Sequence, residues 1–148
     1  ERLAPDSVQI KLNIGNLLLQ KGDWDEALLC YLDAEAISPD NEKTLRPVAW
    51  CLFMKGELES SASYYEQIME KAFNHNDLLN FGHVKFALRE KSEAFKLYRK
   101  SLVHRKNSKD SFIDAYNSDR THLKRLGLTT YDIAYMLDAV AGYPDLTI

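Results

Sequence analysis

The chain has 148 residues, 28% charged and 45% hydrophobic, enough for one compact unit with a continuous core. A net charge of -3 and an isoelectric point near 5.8 argue against nucleic acid as a partner. No apolar run approaches the roughly 18 residues of a membrane helix, so direct membrane insertion is not expected.

Residues 1–6 carry neither the basic start nor the apolar stretch of a signal peptide. The chain begins at Glu1 in mid-pattern and without methionine, which reads as a segment of a longer protein and leaves an earlier leader or domain open. Cys30 and Cys51 fall on different predicted helices with no metal or redox spacing. They read as buried free thiols, and two unpaired cysteines fit a reducing cytoplasm.

The first predicted hairpin runs from Val8 to Asn41. Asp6 or Ser7 is placed to cap a helix reaching about Leu19, with Ile10, Ile14, Leu17 and Leu18 on one face. Gly22 in Lys21-Gly22-Asp23 suits the left-handed conformation that ends a helix. Asp23 then caps a second helix, Trp24 to Ile37, stopped by Ser38-Pro39-Asp40. Gly15 and Ala27 lack bulk, which predicts a close approach of the two backbones, with Leu18 and Tyr31 filling the space around it.

The pattern returns about 34 residues on. In the second hairpin, 42–74, Leu45, Val48, Ala49 and Leu52 repeat the first-helix positions, and Lys55-Gly56-Glu57 is the turn. Ser61 stands where Ala27 did, and Ile68 asks for a wider helix spacing. Proline is comfortable only in an opening turn, so Pro47 predicts a helix start near Arg46. In the third hairpin, 75–108, Gly82, Ala94 and Tyr98 repeat Gly15, Ala27 and Tyr31, and a polar run from Arg105 to Asp110 follows.

Helical spacing continues through Phe112, Ile113, Ala115, Tyr116, Leu123 and Leu126 to Gly127, with a kink or break at Asp119-Arg120. Thr129 and Asp132 then read as a capping box ahead of a last helix carrying Ile133, Met136, Leu137 and Val140. A stack of hairpins needs a lid with one polar face, and residues 109–143 are expected to supply it.

Over Val8 to Lys106, through Gly15, Leu18, Gly22, Trp24, Ala27, Tyr31, Ala34 and Pro39 and their later equivalents, the chain resembles the tetratricopeptide-repeat (TPR) proteins. Residues 45–52 and 80–84, with the tail, are similar to C-terminal TPR modules of Bacteroidetes proteins. The resemblance implies an all-α fold: a right-handed α-α superhelix of three helical hairpins, closed by a helical C-terminal cap, as one domain over 1–148. It also implies a scaffold whose stacked first helices line a groove for a partner peptide or helix.

Groove candidates follow from that geometry: Asn16, Lys43, Arg46, Trp50, Phe53, Asn76, His83 and Phe86. Amides suit the backbone of an extended segment, aromatics its apolar side chains, and Lys43 or Arg46 a carboxylate. Intramolecular packing is the competing role for Trp50, Phe53 and Phe86, and stacking on Trp50 for Arg46. His83 reads as a groove or packing residue, with no carboxylate near it in sequence. Some TPR proteins hold a chaperone's C-terminal carboxylate in a clamp of Lys, Asn and Arg. Here only Asn16 matches, while Leu12, Pro47, Asn76 and Asn80 depart, which excludes that mode.

No catalytic constellation is visible. The four histidines are scattered, the glycines mark turns and tight contacts, and neither a metal nor a cofactor is expected. The basic cluster around Lys96, Arg99, Lys100, Arg105, Lys106 and Lys109 reads as a solvated face. The expected function is a non-catalytic protein-interaction scaffold. Self-association, or capping of a longer repeat array, is the alternative.

Overall fold

A computed structural model describes residues 6–142, and among these all regular structure is helical. The readings made above for residues 1–5 lie outside the described residues. The chain divides into two compact units, Glu1–Ala72 and Phe73–Ile148. The division falls at the boundary between the second and third hairpins.

Unit 1 holds α1 (Asp6–Gln20), α2 (Trp24–Ile37), α3 (Glu42–Lys55) and α4 (Leu58–Met69). Asp6 and Ser7 are already helical, so neither is the cap expected there. Gly22 takes φ 84° as expected, and the amide of Asp23 donates back to the Leu18 carbonyl. Asp23 occupies the cap position of α2 but makes no side-chain cap bond. Its carbonyl instead accepts from the Ala27 amide.

α3 begins four residues earlier than Pro47 suggested. Asn41 caps it, its side chain accepting from the Lys43 amide at 2.9 Å, and the Thr44 hydroxyl donates to the Asn41 carbonyl. Pro47 therefore lies inside the helix, where it removes one donor, the amide that would have reached the Lys43 carbonyl. Lys43 is exposed, so that carbonyl is not sealed in the core. The close packing expected at Ser61 is realised with an added bond: the enclosed hydroxyl donates to the Ala49 carbonyl at 2.7 Å. Ala27, Tyr31, Ala34, Val48, Cys51 and Leu52 form the centre of the core.

Unit 2 holds α5 (His75–Ala87), α6 (Lys91–His104), α7 (Lys109–Ser118), α8 (Arg120–Arg125) and α9 (Thr130–Ala141). A capping box that the sequence reading missed starts α5, with Asn74 and Asp77 each accepting the other's amide at 2.9 Å. The break expected at Asp119-Arg120 separates α7 from α8. At α9 the Thr129 hydroxyl oxygen accepts from the Asp132 amide. The last carbonyls of α9 are met by two members of the basic cluster, Arg99 donating to Val140 and Lys109 to Gly142. Phe112, Tyr116, Leu123, Ile133 and Val140 are enclosed. The outer face of α9 is not polar throughout, since Tyr131 and Tyr135 stand exposed and stacked on it.

Candidate partner-binding site

Hairpins one and three are each locked by a tyrosine lying on a glycine. A Cβ built on Gly15 would stand 2.5 Å from the Tyr31 ring, and one on Gly82 would stand 2.7 Å from Tyr98. The bare α-carbon thus makes room for an aromatic face rather than for Ala27 alone. The residue after each glycine holds the tyrosine hydroxyl. Tyr31 donates to the Asn16 side-chain oxygen at 2.6 Å, and the Tyr98 hydroxyl lies 2.7 Å from His83 Nδ1. Burial pushes the Tyr31 phenol up to about 12 and the Tyr98 phenol well above its usual 10, so both stay protonated near neutrality.

The groove candidates separate by exposure. Asn16 and Lys43 are exposed on α1 and α3, and Arg46 and Trp50 are half-buried on α3. Trp50 stands one position after Ala49, as Asn16 stands one after Gly15. Its ring lies 5.0 Å from that of Phe53. Arg46 donates to the Ala72 carbonyl at 2.7 Å, which fixes the direction of its side chain. In unit 2, Asn76 is exposed and accepts from Arg105 at 2.9 Å.

Phe53, His83 and Phe86, expected to face a partner, are enclosed, with at most 1% of each exposed. His83 does have a carboxylate partner, 36 residues away: its Nε2 lies 3.0 Å from Asp119 Oδ2. Tyr98, His83 and Asp119 thus form a hydrogen-bonded chain from the third hairpin to the junction of α7 and α8. Phe86 and Phe112 pack edge-on against Tyr98 at 6.2 and 6.0 Å. Spacing along the chain could not reveal this, because Asp119 lies beyond the repeats.

Cys51 is enclosed as expected, its thiol donating to the Trp24 carbonyl at 3.1 Å, and burial pushes that thiol up to about 11. Cys30 is only half-buried. Among the described residues, no cluster of three His, Cys, Asp or Glu is placed to hold a metal, and no helix is long and apolar enough to cross a membrane.

No family model matches the sequence, and no curated protein matches it. Solved structures do match. The first TPR of Spaghetti (RPAP3), bound to the HSP90 peptide SRMEEVD, superposes with a TM-score of 0.67 at 21% identity, over 86% of this chain and 98% of that one. The fold is that of the tetratricopeptide repeat. The MamA protein superposes with a TM-score of 0.65 at 18% identity, over 93% of this chain and 74% of that one. The Gly15–Tyr31 and Gly82–Tyr98 pairs are thus the helix contacts of TPR hairpins, and the all-α hairpin architecture read from the sequence is borne out.

Proposed function

We propose that this chain is a non-catalytic protein-interaction scaffold, and that α1 and α3 of unit 1 hold an extended partner segment. Asn16, Lys43, Arg46 and Trp50 carry the recognition. The supporting observation is the pairing of Asn16 and Trp50 at equivalent positions of adjacent first helices, both reaching solvent. The carboxamide of Asn16 is oriented by Tyr31, which leaves its nitrogen to donate to a partner's backbone carbonyl. Trp50 supplies apolar area beside it, and Lys43 a cation for an acidic side chain. The RPAP3 repeat is a related fold with a peptide bound, which supports a peptide as partner. The chaperone-tail clamp is not proposed, because Leu12 is enclosed and Pro47 offers no donor where the clamp needs Lys and Asn.

A second reading is favoured by the outer face of α1. Ile10, Ile14 and Leu17 are 54%, 43% and 60% exposed. Their equivalents on α3, Thr44, Val48 and Cys51, are enclosed, with Val48 and Cys51 in one cluster with Ala27, Tyr31 and Ala34 of α2. A face of this kind suits a further repeat-type helix, whether from a second copy or a longer array.

Pull-down from native extract with wild-type, Asn16→Ala and Trp50→Ala protein separates the two. The first reading expects a partner retained by wild type and lost by both variants, with Trp50→Ala costing about 1 kcal/mol of stability. A loss of roughly 3–5 kcal/mol would make Trp50 a core residue and sink the groove. If nothing is retained and mass in solution rises with concentration, the second reading takes over.

A further inference from the structure

Within unit 2, α6 and α9 border a cleft of about 410 Å³. The enclosed Phe86 lines it from α5, Phe95 from α6, and Tyr135, Met136 and Ala139 from α9. The volume lies in the size class of small-molecule sites, which are mostly apolar with a few polar groups fixing orientation. Its polar groups are Lys91, Ser92, Lys96 and Asp132.

The charges on this lining are two lysines against one aspartate. Lys91 Nζ stands 3.9 Å from Asp132, a long pair, and Lys96 stands 3.7 Å from Glu93. Both lysine side chains are more than 60% exposed, and ion pairs of that kind hold their partners weakly. Asp132 also lies in the first turn of α9, where the helix end offsets part of its charge. The cleft therefore offers an apolar interior and a lining with two lysines and one carboxylate, Glu93 not being among the lining residues.

We propose that this cleft binds a small amphipathic anion: a straight-chain or aromatic apolar body bearing one carboxylate. The apolar body lies against Phe86, Phe95 and Met136, and the carboxylate is held by Lys91 and Lys96. The site is independent of the α1–α3 face, shares no residue with it, and stands or falls separately.

Calorimetric titration of the full chain with decanoate, decanol and decylammonium, each below its solubility limit, tests the proposal. Decanoate is expected to bind with a Kd on the order of 10–100 µM, and decanol about five- to tenfold more weakly. Lys91→Glu with Lys96→Glu should remove the preference for decanoate while leaving decanol binding in place. Ala139 is exposed, so Ala139→Trp folds, fills the cleft and should abolish binding of both. Decylammonium binding as tightly as decanoate, or decanoate binding unchanged in Ala139→Trp, would overturn the site. So would the absence of decanoate binding up to about 1 mM. If that absence came with a dimer dispersed by Ala139→Trp, the cleft would be a protein interface instead.

Discussion

In the first hairpin, Tyr31 rests on Gly15 and its hydroxyl is caught by an exposed Asn16; in the third, Tyr98, Gly82 and an enclosed His83 hold the same three positions. The tyrosine and glycine serve the hairpin in both cases, and the third residue records what lies beyond it. Asn16 meets solvent. His83 meets Asp119 at the junction of α7 and α8, and the tyrosine beneath it is surrounded by Phe86, Phe112 and Tyr116. One repeat position thus faces solvent in unit 1 and forms part of a seam joining hairpin to C-terminal helices in unit 2. A TPR position alone does not define a groove residue; its neighbours in space do.

The difference predicts unequal losses when each lock is opened. Tyr98→Ala removes a ring packed against those of His83, Phe86, Phe112 and Tyr116 and deletes the hydrogen bond to His83 Nδ1. It is expected to cost roughly 3–5 kcal/mol. Tyr31→Ala should cost about 3 kcal/mol, since Asn16 can turn to water. Urea denaturation followed by circular dichroism measures both. Equal losses would mean that the seam around His83 adds nothing.

Adding a methyl to each glycine asks the same question more gently. Alanine should gain about 1 kcal/mol in helix propensity over glycine, but its Cβ would strike the tyrosine ring at both sites. The Tyr98 ring is hemmed in on several sides and cannot withdraw, so Gly82→Ala is expected to destabilise by about 2 kcal/mol net. Tyr31 is as enclosed as Tyr98, but its hydroxyl partner Asn16 is exposed and can move with it, which puts Gly15→Ala nearer about 1 kcal/mol. A Gly82→Ala protein more stable than wild type would show that the ring yields and the lock is loose.

The close helix contact was legible because its spacing lies within one hairpin, Gly15 to Ala27 and Tyr31 and again Gly82 to Ala94 and Tyr98; that the tyrosine ring itself lies on the glycine was not. Helix ends were read less well. Pro47 suggests a start near Arg46, yet a helix capped by Asn41 accommodates a proline whose lost partner lies at an exposed residue. In the third turn Arg89 takes φ 69° where Gly22 and Gly56 stand in the other two, and its letter gives no sign of it. Its guanidinium donates to the Ala87 carbonyl, a bond that helps to hold the turn. For the candidate site, the resemblance to TPR proteins pointed to Asn16, Lys43 and Trp50, and these do reach solvent. It could not foresee that Phe53, His83 and Phe86 are enclosed, because burial depends on which elements fold over a face, and Asp119 belongs to none of the repeats.

The finest distinction lies in the hydroxyls themselves. Tyr98→Phe keeps the ring and deletes the oxygen that lies 2.7 Å from the enclosed His83 Nδ1. Losing a hydrogen bond to a buried polar atom costs about 1–3 kcal/mol where no water replaces it. Tyr31→Phe makes the same deletion opposite Asn16, whose side-chain oxygen can turn to solvent, and is expected to cost about 0.5 kcal/mol. The pair therefore measures enclosure at one repeat position with a single atom as the probe. If the two losses were alike and small, water would reach His83, and its side chain would be as available to a partner as that of Asn16. If they differ as expected, His83 is closed to a partner, and of the two equivalent positions only Asn16 remains for the proposed peptide face.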